Sequence, residues 1–304
     1  MSAVGSLAIS ARAEDDPFSP QTMAAFRARP EFARYAVQIA RTFIDQYVGN
    51  RFLNLISNDR GRMQVAHAVM YLHYTRDPGD PTSGLTSSRL KAFCAQYNMC
   101  SPGRTAAMLA VMQMSGHVVD APAPKDRRIR LLMPTRKLLD TFLTRWITYF
   151  DALADMMPET AAIARAARER DEFVHAYIKF VVEHYRAGRR LMDHVPQLNI
   201  FADANAGMLI FLSLFAAAGA DGPPSGERVV QMPISELARR FGVSRAHVKQ
   251  VLRGAQDQGL LRIDDGNGIR LMPAYFDAAY QLFAAMFALE LHTGLRALEA
   301  ANGG

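Results

Sequence analysis

The sequence predicts a mainly α fold with a pseudo-two-fold internal repeat, on three observations. Residues 232–273 carry a helix-turn-helix pattern followed by a hairpin signal, the same pattern returns in the first half of the chain, and long amphipathic segments flank both copies. The pattern is clearest in the second copy. Ile234, Leu237, Ala238 and Phe241 fall on one face of a short helix, and Gly242-Val243 makes a turn. Ser244 then stands where an N-cap belongs, and Val248, Val251, Leu252 and Ala255 repeat the apolar spacing. Leu260 to Ile263 and Gly268 to Met272 read as two strands around a turn at Asp264 to Asn267. Helix, turn, helix and hairpin in that order make a winged helix-turn-helix unit. The plainer alternative is a small helical bundle with a solvated basic face.

The elements follow along the chain. Residues 1–22, with Glu14, Asp15, Asp16, Pro17 and Pro20, read as a flexible tail, and no basic residues precede the weakly apolar run from Val4 to Ile9 as a secretory signal requires. Residues 23–157 form the first winged-helix half and residues 158–304 the second. Subtraction checks the repeat. Ser101 and Ser244 lie 143 apart, as do Gly116 and Gly259, and Met108, Leu109 and Met112 fall on Val251, Leu252 and Ala255. Met133-Pro134 and Met272-Pro273 differ by 139, Glu31-Phe32 and Glu172-Phe173 by 141. Each half therefore has a long leading helix, a second helix (Arg62 to Thr75; Ala204 to Ala218), the helix-turn-helix, a wing and a long closing helix. The closing helices run from Thr135 to Met156 and from Ala274 to Leu298. Their apolar surface exceeds what one winged helix covers, so they are expected to pack together across an approximate two-fold axis.

Composition bounds the function. Half of the 304 residues are hydrophobic, about a fifth are charged and the formal net charge is +6, a basic balance that admits a polyanionic partner. The two cysteines, Cys94 and Cys100, imply no disulfide framework and point to a reducing cytoplasm. The longest apolar run, Met208 to Ala218, suits a buried helix and falls short of a membrane span. The histidines lack zinc-site spacing, and no phosphate loop, dinucleotide turn or nucleophile elbow is present. No metal, cofactor or enzymatic activity is expected.

The outer face of the second recognition helix carries the functional expectation. Arg245, His247, Lys249, Gln250 and Arg253 form a donor-rich strip of a size that fits the major groove, and Ser244 opens it. Carried back by 143 positions, that face becomes Pro102, Gly103, Arg104, Ala106, Ala107 and Ala110, of which Arg104 alone is equipped to read a base. The first wing is basic instead, with Lys125, Arg127, Arg128 and Arg130, whereas the second carries Asp264 and Asp265, which oppose phosphate. A division of labour follows: the second half reads base edges and the first anchors through its wing.

The first wing, Asp126-Arg127-Arg128-Ile129-Arg130-Leu131-Leu132-Met133-Pro134-Thr135, together with the order of elements, resembles the MarR type of winged-helix regulator from about Glu31 onward. That resemblance implies minor-groove contact by Arg128 and a sequence-specific transcription regulator that binds double-stranded DNA. Members of that family are homodimers of chains half this size, so here both halves sit in one polypeptide, a monomeric pseudo-dimer or a homodimer of one. The second wing lacks the Asp-x-Arg pattern. The resemblance also implies a small hydrophobic or aromatic effector, for which Met70, Tyr71, Phe142, Trp146 and Phe150 are the candidate lining; an ordinary core is the competing reading of the same residues. The rival function is a winged-helix scaffold that binds protein partners and has lost DNA recognition, which the alanine-rich first helix suits.

Overall fold

The computed structural model describes residues 16–48, 53–54, 59–77, 79–80, 83–122, 130–219, 226–264 and 268–303. Among them are thirteen α-helices and two small antiparallel sheets, a mainly α architecture. The first half runs α1 (Pro20–Arg27), α2 (Phe32–Tyr47), α3 (Arg60–Tyr74), α4 (Ser87–Gln96), α5 (Pro102–Met114), β1 (Val118–Asp120), β2 (Leu132–Pro134) and α6 (Arg136–Leu153). The second runs α7 (Glu159–Glu169), α8 (Asp171–Arg186), two short 3-10 turns, α9 (Asn199–Ala202) and α10 (Gly207–Ala218). It continues through β3 (Arg228–Val230), α11 (Ile234–Phe241), α12 (Arg245–Asp257), β4 (Leu261–Ile263), β5 (Ile269–Leu271) and α13 (Pro273–Asn302).

Local chemistry sets many of these boundaries. The side chains of Ser19, Asp59, Thr86, Ser101 and Ser244 each accept from the amide three residues on, satisfying a donor that the helix itself leaves free. Gly242 ends α11 in the left-handed region, at φ 67°, a conformation that lets the chain reverse into α12 without Cβ strain. The hairpin that follows is held across its base: Asp264 N donates to Gly268 O at 2.9 Å, and β3 adds a third strand on the far edge of β5. Residues 265–267 of the expected turn lie outside the described residues.

Several expectations need correction. The tail does not extend to residue 22: Phe18 is buried and stacks on His194 with ring centroids 4.0 Å apart, and α1 lies along α13. Short helices such as α1 give too few periods to stand out in sequence, and α7 and the three-residue strand β3 were likewise not expected. The helix expected from Ala204 begins at Gly207 because Ala206 takes φ 55° and breaks it from α9. The shared Met-Pro dipeptides stand in different settings, since Pro134 ends a strand whereas Pro273 starts a helix. Thr135 N donates to His117 O at 2.8 Å and Met272 N to Leu260 O at 3.0 Å.

One continuous apolar cluster runs through residues 23–157 and 158–304. The packing is reciprocal: α1 lies along α13 and α7 along α6, while α2 packs on α10 and α8 on α3. Each leading helix thus covers the other half. Among the described residues no single helix is long and apolar enough to cross a membrane.

Phe287 of α13 is fully buried, and its ring lies 6.3 Å from Phe26, 5.7 Å from Phe32, 6.3 Å from Tyr149 and 5.9 Å from Phe283. Phe287→Ala is therefore expected to cost about 3–5 kcal/mol. Urea unfolding followed by Trp146 fluorescence and by far-UV circular dichroism is expected to shift to one lower, common midpoint. Separate midpoints for the two signals would mean that the halves unfold independently.

Candidate functional site

The exposed face of α12 is built by what its other face buries. Val248, Val251, Leu252 and Ala255 are buried, which turns Arg245, Lys249, Gln250 and Arg253 to solvent. Among the described residues none of these four engages a carboxylate. Ser244 is occupied as the cap, accepting from His247 N at 3.1 Å. His247 is also held: its Nε2 donates to the Asn205 carbonyl at 2.8 Å, so it fixes the start of α12 more than it faces outward. The helix is further seated by Gly254, where a Cβ would lie 2.6 Å from Ile200 Cδ1 and would push that side chain of α9 aside.

The hairpin beside α12 is less acidic than its composition suggests. Arg270 donates to Asp264 at 3.1 Å and to Glu227 at 3.4 Å, so Asp264 is neutralised along the sheet. Arg262, opposite Arg270 in the ladder, is exposed and adds a cation to this side. Sequence reasoning passed over it, although the alternation Leu261-Arg262-Ile263 marks it as outward-facing.

In the first half, α5 presents Gly103, Ala107 and Ala110 to solvent, with Met114 85% exposed at its end. Arg104 is not a free donor: its Nη2 lies 3.0 Å from Asp59 Oδ2 and 3.1 Å from Oδ1. Lys125, Arg127 and Arg128 lie outside the described residues. Arg130 donates to Asp120 at 2.7 Å, across the base of the hairpin. Cys94 is fully buried, and burial pushes its thiol up to about 12, while Cys100 is half-buried. Such a thiol is a poor nucleophile. No group of three or more metal-ligating side chains occurs among the described residues.

Between the halves lies a cavity of about 500 Å³, walled by α2, α3 and α6 from the first and by α8, α10 and α13 from the second. Phe142 and Trp146 line it. Met70, Tyr71 and Phe150 do not; Met70 and Phe150 are sealed in the core, and the Tyr71 hydroxyl accepts from Arg186 at 2.5 Å. Helical periodicity placed all five on apolar faces but could not say which of them meets the junction. The polar lining was missed altogether: Arg145, His67, Tyr149, His184 and Glu290. These sit singly within apolar helices, where sequence offers no pattern that joins them.

Burial governs their protonation. His67 is held down to about 3 by desolvation, with Arg145 adding to it, and His184 to about 3 by desolvation and then His292. Burial raises the Glu290 carboxyl above the usual carboxylate range, against the Tyr177 hydroxyl that donates to it and the charge of Arg145. Burial also holds the Tyr149 hydroxyl firmly protonated. Four side-chain atoms here are buried without a hydrogen-bond partner: His67 Nδ1, Tyr149 Oη, His184 Nδ1 and Arg190 Nε. Buried polar groups in folded proteins are normally satisfied, so these four leave the fold carrying an uncompensated desolvation cost.

No protein-family model, curated protein or solved structure matches the chain.

The histidines make stability depend on pH. His67, neutral in the fold down to about 3, takes a proton below about 6.5 when unfolded, so the unfolded state binds more protons across that window. Stability is fully present above pH 6.5 and falls as pH falls. About 2 kcal/mol is expected to go between pH 6.5 and 5 on account of His67, and thermal unfolding of His67→Gln over that range should show a shallower slope than the parent chain.

Proposed function

We propose that this chain is a sequence-specific, double-stranded-DNA-binding transcription regulator in which two winged-helix units are fused as a single-chain pseudo-dimer. The observation that carries the proposal is the outer face of α12: Arg245, Lys249, Gln250 and Arg253 stand exposed, and among the described residues unengaged by carboxylates, on a helix capped by Ser244 and backed by α11. An α-helix carrying such donors fits the major groove, where arginine and glutamine discriminate base edges.

The pseudo-dimer is supported by contacts that recur in both halves. Ser101 and Ser244 cap their helices in the same way, and Thr135 and Met272 close onto His117 and Leu260 with equivalent backbone bonds. Asn98 (φ 52°) and Gly242 (φ 67°) both take the left-handed region where the first helix of each pair ends. The reciprocal packing of α1 on α13 and α7 on α6 is what a two-fold arrangement of one ancestral unit produces. Resemblance to MarR-type regulators fits this arrangement. On this reading the chain is a cytoplasmic regulator and not an enzyme.

In the first half α5 is a poor reader, since its Arg104 is bound to Asp59, and the basic sequence Lys125, Arg127 and Arg128, outside the described residues, is the better candidate for contact with DNA. One observation favours the rival, a protein-interaction scaffold: the exposed face of α5 is small and apolar, and Met114 at its end is almost wholly exposed.

The test is duplex binding by fluorescence anisotropy across a salt series, with a selection from random duplexes to find the preferred site. Arg245→Ala and Lys249→Ala are each expected to weaken binding, and the log–log salt slope to fall by about 1 for each phosphate that is no longer neutralised. Gln250→Ala is expected to relax sequence preference while leaving the salt slope unchanged. A parent chain that shows no salt-dependent duplex binding would overturn the proposal in favour of the scaffold.

A further inference from the structure

We propose that the duplex this chain prefers is asymmetric, base-specific under α12 and sequence-tolerant under the first half, and that Asp59 sets this by folding Arg104 back from the outer face of α5. The inference rests on the DNA-binding function proposed above and names the kind of site that function takes.

A two-fold pair of identical recognition helices calls for a palindromic site, since each helix then meets the same bases. The two helices here are unequal. Between Pro102 and Met114 of α5, Arg104 is the only charged residue, and the exposed Gly103, Ala107 and Ala110 have no side-chain donor or acceptor for a base edge. An alanine methyl meets at most the methyl of a thymine. Base readout by α5 therefore turns on one guanidinium.

That guanidinium is held from behind. Arg104 Nη2 lies 3.0 Å from Asp59 Oδ2 and 3.1 Å from Oδ1, and the Asp59 side chain is only 6% exposed. The same carboxylate accepts from the Arg62 amide at 3.0 Å and pairs with Arg62 Nε at 3.0 Å, which fixes it at the start of α3. To read a guanine, Arg104 exchanges a charged acceptor for a neutral one. Charge-assisted hydrogen bonds are about twice as strong as neutral ones, and the exchange strips a buried carboxylate of one of its two arginines. Asp59 therefore keeps Arg104 against a base. A phosphate offers charge for charge, but phosphate contacts position a protein without specifying sequence. Both outcomes leave this half sequence-tolerant.

The second half has no such tether. On the 143-residue offset Arg104 corresponds to His247, which also turns back, its Nε2 donating to the Asn205 carbonyl at 2.8 Å. The N-cap of α10, where α3 has Asp59, is Ala206, which brings no carboxylate. Arg104 and His247 thus seat their helices. What differs is the remainder: α12 exposes Arg245, Lys249, Gln250 and Arg253, and α5 exposes glycine and alanine.

The test uses the full chain and the duplex recovered by selection. Each side of that duplex is scrambled in turn and affinity is read by anisotropy at fixed salt. Scrambling one side is expected to weaken binding about tenfold or more, and scrambling the other to change it less than about threefold. Gln250→Ala assigns the sensitive side to α12 by relaxing discrimination there. A palindrome made of the sensitive side twice is expected to bind no more than about twofold tighter than the selected duplex. Asp59→Asn and Asp59→Ser keep a capping side chain on α3 and remove the charge that holds Arg104. Each is expected to make the tolerant side prefer guanine by about fivefold or more, with selectivity on the other side unchanged. Arg104→Ala is expected to abolish that gain in the Asp59→Asn chain and to leave selectivity unchanged in the parent. A merely structural role for Asp59 would lower thermal stability and affinity for both sides alike, with no new guanine preference, and that result would overturn its assignment. Equal losses on scrambling either side would overturn the asymmetry. Absence of salt-dependent duplex binding by the parent chain would strike the function proposed above and this inference together, an outcome distinct from binding with two equally selective sides.

Discussion

Phe287 lies in the longest helix with Phe26, Phe32, Tyr149 and Phe283 around it, so helices that lead into the first half and the helix that closes the second bury against one ring. Neither half supplies enough apolar surface to cover its own long helices, and each finds the remainder on the other. The rest of the structure depends on this exchange of cover. It fixes α2 against α10 and α8 against α3. It also creates the junction where packing is incomplete and a cavity remains. Aromatic rings of this kind pack best edge to face, and a seam built of them leaves gaps wherever their outlines do not mesh.

Much of the second half was legible in the sequence because its signals are local. A serine cap, a glycine turn and apolar residues at helical spacing each act within a few residues, and α11, α12 and the hairpin stand where those signals put them. The first half was legible only by comparison with it. What sequence could not supply was whatever depends on meeting a distant element. Arg104 looked free because Asp59, its partner 45 residues earlier, belongs to another helix. Asp264 looked exposed for the same reason, its neutralising partner Arg270 being six residues on and across a turn. Met70, Tyr71, Phe142, Trp146 and Phe150 looked alike in sequence, yet Phe142 and Trp146 line the cavity and the other three do not, since a helical period gives a face but not what the face meets.

The polar lining of the cavity is the other non-local feature. His67, Arg145, Tyr149 and Glu290 are contributed by α3, α6 and α13 and are brought together only when the halves close. Desolvating four ionisable groups at one place is costly to the fold, and folds retain such groups where a ligand or a switch uses them. Their protonation preferences follow from burial more than from one another, as the neutral His67 and the upward shift of Glu290 both indicate.

The cavity astride the junction is walled from both sides at once, by α2, α3 and α6 and by α8, α10 and α13. Any sliding of one set of helices past the other changes its volume directly, so the space is as sensitive to the fit of the seam as the seam is to what fills it.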